Sequence, residues 1–403
     1  MKAPALLAAP FRPFYLLGVG YGVLLTALAG SGVAGLSPTA FPMAWHGHEM
    51  VFGFAMAIVA GTVLTALPTW AGSPETTGHR LAVLAGCWVV GRLACALAPV
   101  WPWPVVAACD LALPLAMLLH LAPQLRRLPE RRWSMLLVIL SALALANLAW
   151  HAGRAGGDAL AQARALRTAL WIVLVLYTLV GGLFTPVFTA NVLAERGLAA
   201  PRARSWPLEL AVVSATVAAA AVDVGRLGTP HAPWTASWTA SWTASLPTSL
   251  PAALPALAAA ALQAWRLARW RGWPARTDRR VAAMHLGFVW LVAGLLAQAA
   301  THAGLPLPPA TWVHAFTAGA LGSMMLGLMT RVVLRHTGHD GAAPRGLGPA
   351  LAAVALATLL RMAAPALGAW SWAASALLWA AALGWWWARH ASLLLQPSRP
   401  RDG

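Results

Sequence analysis

Charge is what this chain of 403 residues has least of. Only 10% of it is Asp, Glu, Lys or Arg, where an ordinary soluble protein carries about 25%. Acidic residues number 11, and Lys2 is the single lysine among 28 basic residues. The three cysteines, Cys87, Cys95 and Cys109, sit in apolar runs without a CxxC or CxxCH pattern, which excludes a disulfide framework and a c-type haem attachment. No dinucleotide or flavin fingerprint is present. Against these absences stand 60% apolar residues, a mean hydropathy of +0.67 and 23 tryptophans. Disorder and collagen-like repetition are excluded. Tryptophan at this abundance suits anchoring at lipid interfaces.

Apolar runs of the length that crosses a bilayer, about 18–25 residues, recur with short breaks. The sequence predicts an all-α polytopic membrane protein, a single transmembrane domain over 1–403 with about twelve helices. The spans are 13–36, 45–67, 81–100, 104–122, 133–151, 166–190, 207–224, 250–266, 281–304, 311–333, 348–366 and 370–390. Pro251 and Pro255 make the eighth the weakest. The first run has a basic start but lacks a cleavage site, and is read as a retained helix. No half-to-half repeat is visible.

With the N-terminus inside, 22 basic residues fall on the inner side, 4 on the outer side, and Arg92 and Arg361 lie within spans. That asymmetry obeys the positive-inside rule only if every helix is counted, and it places both termini in the cytoplasm. The net charge of +17 is thus a matter of topology and anionic lipid, not of nucleic acid. The longest outer loop, 225–249, is a low-complexity periplasmic segment with three Trp-Thr-Ala-Ser copies.

Polar groups inside a membrane are costly, so each one calls for a reason. The densest group is Trp45-His46-Gly47-His48-Glu49-Met50, at the outer start of the second helix. Histidines two apart point roughly 200° apart on a regular helix. They share a metal only if the first turn is irregular, which Gly47 permits; otherwise they serve two sites, or meet headgroups. On a regular helix His46 shares a face with Glu49 and Met50. His314 lies one turn into the tenth helix, above Gly319 and Gly322. His151 ends the fifth helix, with Asn147 one turn before it.

On the inner side are His285 and His336. Seventeen residues separate His285 from His302, roughly 25 Å of helix, so those two cannot share a metal. Imidazole suits haem iron and copper, and two depths of histidine predict two metal sites: an outer one formed or flanked by His46, His48 and His314, with His151 as a further ligand, and an inner one at His285 and His336. Arg92 and Asp110 are expected to pair across the tight hairpin between the third and fourth helices, either as a structural ion pair or as a proton path. The cysteines read as packing.

These motifs, taken in order, carry a resemblance. Phe11-Arg12-Pro13-Phe14 opens the first helix. The His46–Met50 group is followed by Phe52-Gly53-Phe54 and by GTVLTALPTWAG at 61–72. Asn147 to His151 closes the fifth helix, and Gly181-Gly182 to Asn191 closes the sixth. Arg269 to Trp273 precedes His285, Gly287 and Phe288. His314 to Gly319 leads into Met329-Thr330-Arg331 and His336-Thr337-Gly338. Over nearly its whole length the chain resembles the NnrS family of bacterial inner-membrane proteins.

The resemblance implies haem b and copper, and a role in coping with nitric oxide and nitrosative stress alongside denitrification. His46, His48, His151, His285, His314 and His336 fall at its motif positions. Where the family's sixth-helix motif carries Arg, this chain has Leu183, leaving Arg331 to meet a haem propionate. Three functions follow as alternatives. One is reduction of nitric oxide to nitrous oxide, with Glu49 delivering protons and a membrane quinol supplying electrons. Another is a non-catalytic protein that binds or senses nitric oxide. The third is a twelve-helix transporter of a metal complex or small anion, which the placement of histidines toward both faces disfavours.

Overall fold

The computed structural model describes residues 4–33, 43–127, 131–228, 250–339, 341 and 343–399. The Trp-Thr-Ala-Ser copies lie outside them. Twelve long helical rods account for the described residues: α1 (Phe11–Val33), α2 (Trp45–Ala71), α3 (Gly78–Ala96), α4 (Trp103–Arg126), α5 (Met135–Ala155), α6 (Ala159–Ala194), α7 (Trp206–Arg226), α8 (Leu250–Arg269), α9 (Arg279–His302), α10 (Pro309–His336), α11 (Leu347–Leu367) and α12 (Ala369–Leu395). No strand occurs among the described residues. Ten of the rods are long and apolar enough to cross a membrane; α8 and α12 are the two that fall short on composition. The tryptophans of α12, whose indoles weigh little in hydropathy, and the Gln263–Arg269 end of α8 account for that.

The all-α, multi-pass reading is thus met. Lengths differ from the expected spans most at α6, whose 36 residues extend for roughly 54 Å, well beyond a hydrocarbon core of about 30 Å. Asp158 starts it by accepting a hydrogen bond from the Ala161 amide at 2.9 Å, a side-chain cap that satisfies one of the orphan amides of the first turn.

Sequence neighbours pack as antiparallel pairs, α3 on α4, α5 on α6, α9 on α10 and α11 on α12, and α1 lies along α12. Two large apolar clusters result, with two small ones beside them. The larger gathers Phe52, Met56, Trp88, Trp171 and Phe288; the other gathers Phe11, Tyr15, Phe54, Trp379 and Trp386. Helices α2 and α10 contribute to both, and they are the two most buried spans. Both are interrupted by seven residues of π-helix, Glu49–Ala55 and Ala315–Leu321.

The Phe11-Arg12 motif ties the two ends of the described chain together. Arg12 is 1% exposed, and its guanidinium donates to the carbonyls of Leu393 (3.1 Å), Leu394 (2.9 Å) and Gln396 (2.6 Å) and to the Ser398 hydroxyl (2.9 Å). These carbonyls are the unpaired ones at the end of α12, where a cation also meets the negative end of the helix dipole.

Candidate functional site

The first turn of α2 places its two histidines on different partners. Glu49 is the first residue of the π segment, and it bonds to its neighbour His48 rather than sharing a face with His46. His48 Nδ1 lies 2.8 Å from Glu49 Oε1, and Nε2 lies 3.0 Å from Asn147 Oδ1 and 3.2 Å from Asp110 Oδ2. The ring lies tilted by 31° against Trp150, at 3.9 Å between centroids. Asn147 donates its amide to Asp110 Oδ2 at 2.8 Å, which fixes the oxygen toward His48. His151 Nε2 donates to the same carboxylate oxygen at 2.8 Å.

Arg92 spans the two carboxylates, donating from Nη1 to Glu49 and from Nη2 to Asp110. The expected α3–α4 pair therefore exists, and it is part of the histidine cluster. Tyr21 of α1 donates its hydroxyl to Glu49 Oε2. Five helices thus converge on one point. Two glycines allow it. A side chain at Gly53 would stand 2.8 Å from the Tyr21 ring and 3.1 Å from Arg92 Nη1, and one at Gly91 would stand 3.0 Å from the Cys109 carbonyl of α4.

Charge counting shows what the cluster lacks. Glu49 and Asp110 are 0% and 3% exposed, and among the described residues Arg92 is the one guanidinium that pairs with them. With both imidazoles neutral, one negative charge is left over. An uncompensated charge at this depth costs several kcal/mol, so the cluster calls for one more cation, a proton or a metal ion. Ligand atoms of His48, Asp110 and His151 lie within 4.8 Å of one another, and so do those of His48, Glu49 and Cys95. His151 Nδ1 is buried without a partner, and since Nε2 carries the hydrogen, Nδ1 carries the lone pair. Imidazole, carboxylate and thiol together fit a transition-metal ion such as copper.

Small cavities flank the cluster. One is bounded by Trp45, Cys95, Trp103, Trp150 and Arg154, the other by Phe52, Met56, Cys87 and Leu113. Each has room for about one water molecule. That suits a diatomic ligand and does not suit a porphyrin, so haem does not fit at this centre.

The other expected site residues lie elsewhere. His46 is turned away from His48, with Nδ1 buried and unpartnered, and shares its surroundings with His314 and Arg361. His302 faces Asp223 at 3.6 Å beside Arg167 and Trp171. His285 Nε2 bonds to Thr189 Oγ1 of α6 at 2.9 Å, and Arg331 lies 4.1 Å over the Phe188 ring. His336 packs on Phe11 of α1 at 5.5 Å.

The structure does not bring His285 and His336 together. A Cβ at Gly287 would meet the Ala320 carbonyl and one at Gly327 the Arg280 carbonyl, and both contacts give one antiparallel register. It sets His285 level with Gly322, fourteen residues and roughly 21 Å short of His336. α10 simply runs on past the start of α9. Sequence reasoning missed Tyr21 and discounted Cys95. Neither has a motif signal, and both reach Glu49 only through helix packing.

Comparison with known families comes to one result: the profile described as NnrS protein matches residues 5–398. No curated protein matches the chain.

Proposed function

Taking as premise that the chain belongs to the NnrS family, a membrane protein linked to the nitric oxide response, we propose that it binds nitric oxide at a copper ion held by His48, His151 and Asp110 and reduces it to nitrous oxide. This protects the cell from nitrosative stress during denitrification. The protein works in the bacterial inner membrane, carries haem b at a separate place, and draws electrons from a quinol. The observation that supports this reading is the buried cluster that calls for one further cation, a proton or a metal ion, and offers an unpartnered imidazole nitrogen beside a small cavity.

Two molecules of nitric oxide, two electrons and two protons give nitrous oxide and water. A bound copper ion supplies an open coordination position and a one-electron couple. The chain's own groups supply the protons. Tyr21, Glu49 and His48 form an unbroken hydrogen-bonded line, in which a proton on the tyrosine side can be passed through Glu49 to the imidazole. Arg92 holds both carboxylates in place, and Asn147 with Asp110 orients the His48 and His151 rings. Trp150 and Trp103 wall the cavity against bulk water.

One observation favours a second reading, binding without turnover. Each cavity has room for about one water-sized molecule, and residues of the charged cluster line both, whereas joining two nitrogen atoms needs both molecules at one metal. Anaerobic addition of nitric oxide to the purified, reduced, copper-loaded protein separates the two. Nitrous oxide formed in wild type supports the reductase. A nitric oxide spectrum without nitrous oxide selects the binder. A His48→Ala protein that keeps both copper and nitric oxide binding sinks both readings.

A further inference from the structure

The connector between α8 and α9 carries Arg269-Trp270-Arg271-Gly272-Trp273, a motif that the chemistry at His48 leaves unused. Its single helical turn, Gly272–Ala275, seats Ala275 in an apolar cluster with Val192 and Leu193 of α6 and Val281 of α9. A Cβ at Gly272 would stand 2.4 Å from His285 Nδ1, so the backbone there lies on that ring. Three bonds stitch the connector to the α6–α7 loop. Arg196 Nη1 donates to the Pro274 carbonyl at 2.8 Å, Arg269 Nη2 to the Ala203 carbonyl at 3.1 Å, and the Arg202 amide to the Arg269 carbonyl at 3.3 Å. Arg271 turns the chain in the left-handed region, with φ at 53°, and among the described residues it is the one residue other than glycine to do so. A side chain is costly in that conformation. Keeping an exposed arginine there points to work for its guanidinium.

Arginine dominates the surface built in this way. Residues 195–209 and 269–280 hold eight arginines against three acids. Two of the acids are engaged: Glu209 is buried on Arg266 at 3.0 Å, and Asp278 is held by Arg280 at 2.8 Å. Arg202, Arg271 and Arg276 are exposed and pair with no carboxylate among the described residues. Two tryptophans stand out of the same surface, Trp206 at 64% and Trp273 at 75% exposed. Each has a guanidinium over its ring, Arg204 at 4.7 Å and Arg276 at 4.2 Å. Indole settles at the boundary between acyl chains and headgroups, which sets these arginines at the depth of the phosphates. Fixed cations beside exposed indoles complement a molecule that joins a phosphate to acyl chains. A soluble anion would meet the guanidiniums and leave both indoles bare.

We propose that this surface docks an anionic phospholipid, its phosphodiester held by Arg202 and Arg271 and its acyl chains against Trp206 and Trp273. The site is independent of the cluster at His48. A diffuse basic surface also attracts anionic lipid, but without regard to which arginines supply the charge, and that difference is what the test reads. The full-length protein in non-ionic detergent is titrated with phosphatidylglycerol and with phosphatidylcholine, and bound lipid is counted by native mass spectrometry. Wild type is expected to take its first phosphatidylglycerol at least tenfold more tightly than phosphatidylcholine. Arg202→Gln with Arg271→Gln should lower that affinity at least fivefold. Arg126→Gln with Arg127→Gln removes the same charge from the exposed inner end of α4 and should leave the affinity unchanged. Arg271→Gly guards against misfolding, since glycine accepts a left-handed turn. It should melt no lower than wild type in phosphatidylcholine and still bind phosphatidylglycerol at least threefold more weakly. Glycerol phosphate at millimolar concentration should not displace the lipid. The proposal is overturned if the Arg202 and Arg271 double variant keeps the wild-type affinity, or if the Arg126 and Arg127 pair loses as much. It is equally overturned if glycerol phosphate displaces the lipid, which would make the surface a site for a soluble anion.

Discussion

Removing one negative charge from the His48 cluster should release its cation. Glu49 and Asp110 are the two carboxylates and Arg92 the one guanidinium, so Glu49→Gln or Asp110→Asn brings the cluster to neutrality with no metal bound. Ligand atoms of His48, Asp110 and His151 lie within 4.8 Å of one another, and those of His48, Glu49 and Cys95 do likewise. At that separation, and an effective dielectric of about 20, one unit charge acting on another is worth about 3–4 kcal/mol. For a cuprous ion that corresponds to a loss of roughly a hundred- to a thousandfold in affinity. Glu49→Gln is the gentler change. Asp110 accepts from Arg92, Asn147 and His151, and an amide in its place leaves at least one of those donors facing an N–H₂ group, at about 1–3 kcal/mol of stability. Arg92→Met moves the charge the other way. It should tighten cation binding while costing about 3–5 kcal/mol of stability, since it strands two buried carboxylates. The assay is copper retained against a chelator of known affinity, on protein eluting as a single species. Glu49→Gln and Asp110→Asn holding copper as wild type does, or Arg92→Met releasing it as they do, would refute the charge argument.

Three further outcomes are expected. Gly327→Ala should lower thermal stability by about 1–3 kcal/mol, because its Cβ would stand 2.6 Å from the Arg280 carbonyl, whereas Gly86→Ala, with nothing within 4 Å, should be neutral or stabilising; melting in detergent reads both. Asp278 caps α9 outside the membrane span; partial burial would raise its carboxyl, but bonds from Arg280 and from the Arg280 and Val281 amides prevail and hold it below its ordinary value. Asp278→Ala should therefore cost about 1 kcal/mol at neutral pH, and wild type should lose that advantage as pH falls through the lowered value, so equal melting of the two at pH 7 contradicts the cap. Reporter fusions after residue 130 should read cytoplasmic and after residue 158 periplasmic, and the reverse at either point breaks the arginine-based topology.

The rods were legible because a bilayer imposes their length and polarity, and neither depends on which helix packs on which. The sites were legible only where contact runs between sequence neighbours. Arg92 and Asp110 face each other across a hairpin, and hairpin partners can be read from loop length. His48 meeting Asp110 and His151 needs α2, α4 and α5 at one point, which periodicity does not report. The π segment at Glu49 shows the same limit locally. A period of 3.6 puts Glu49 with His46, and seven residues of wider turn hand it to His48 instead. The inner pair failed for a related reason. A short outer loop makes α9 and α10 neighbours but says nothing of where each ends, and α10 is 28 residues long against 24 for α9.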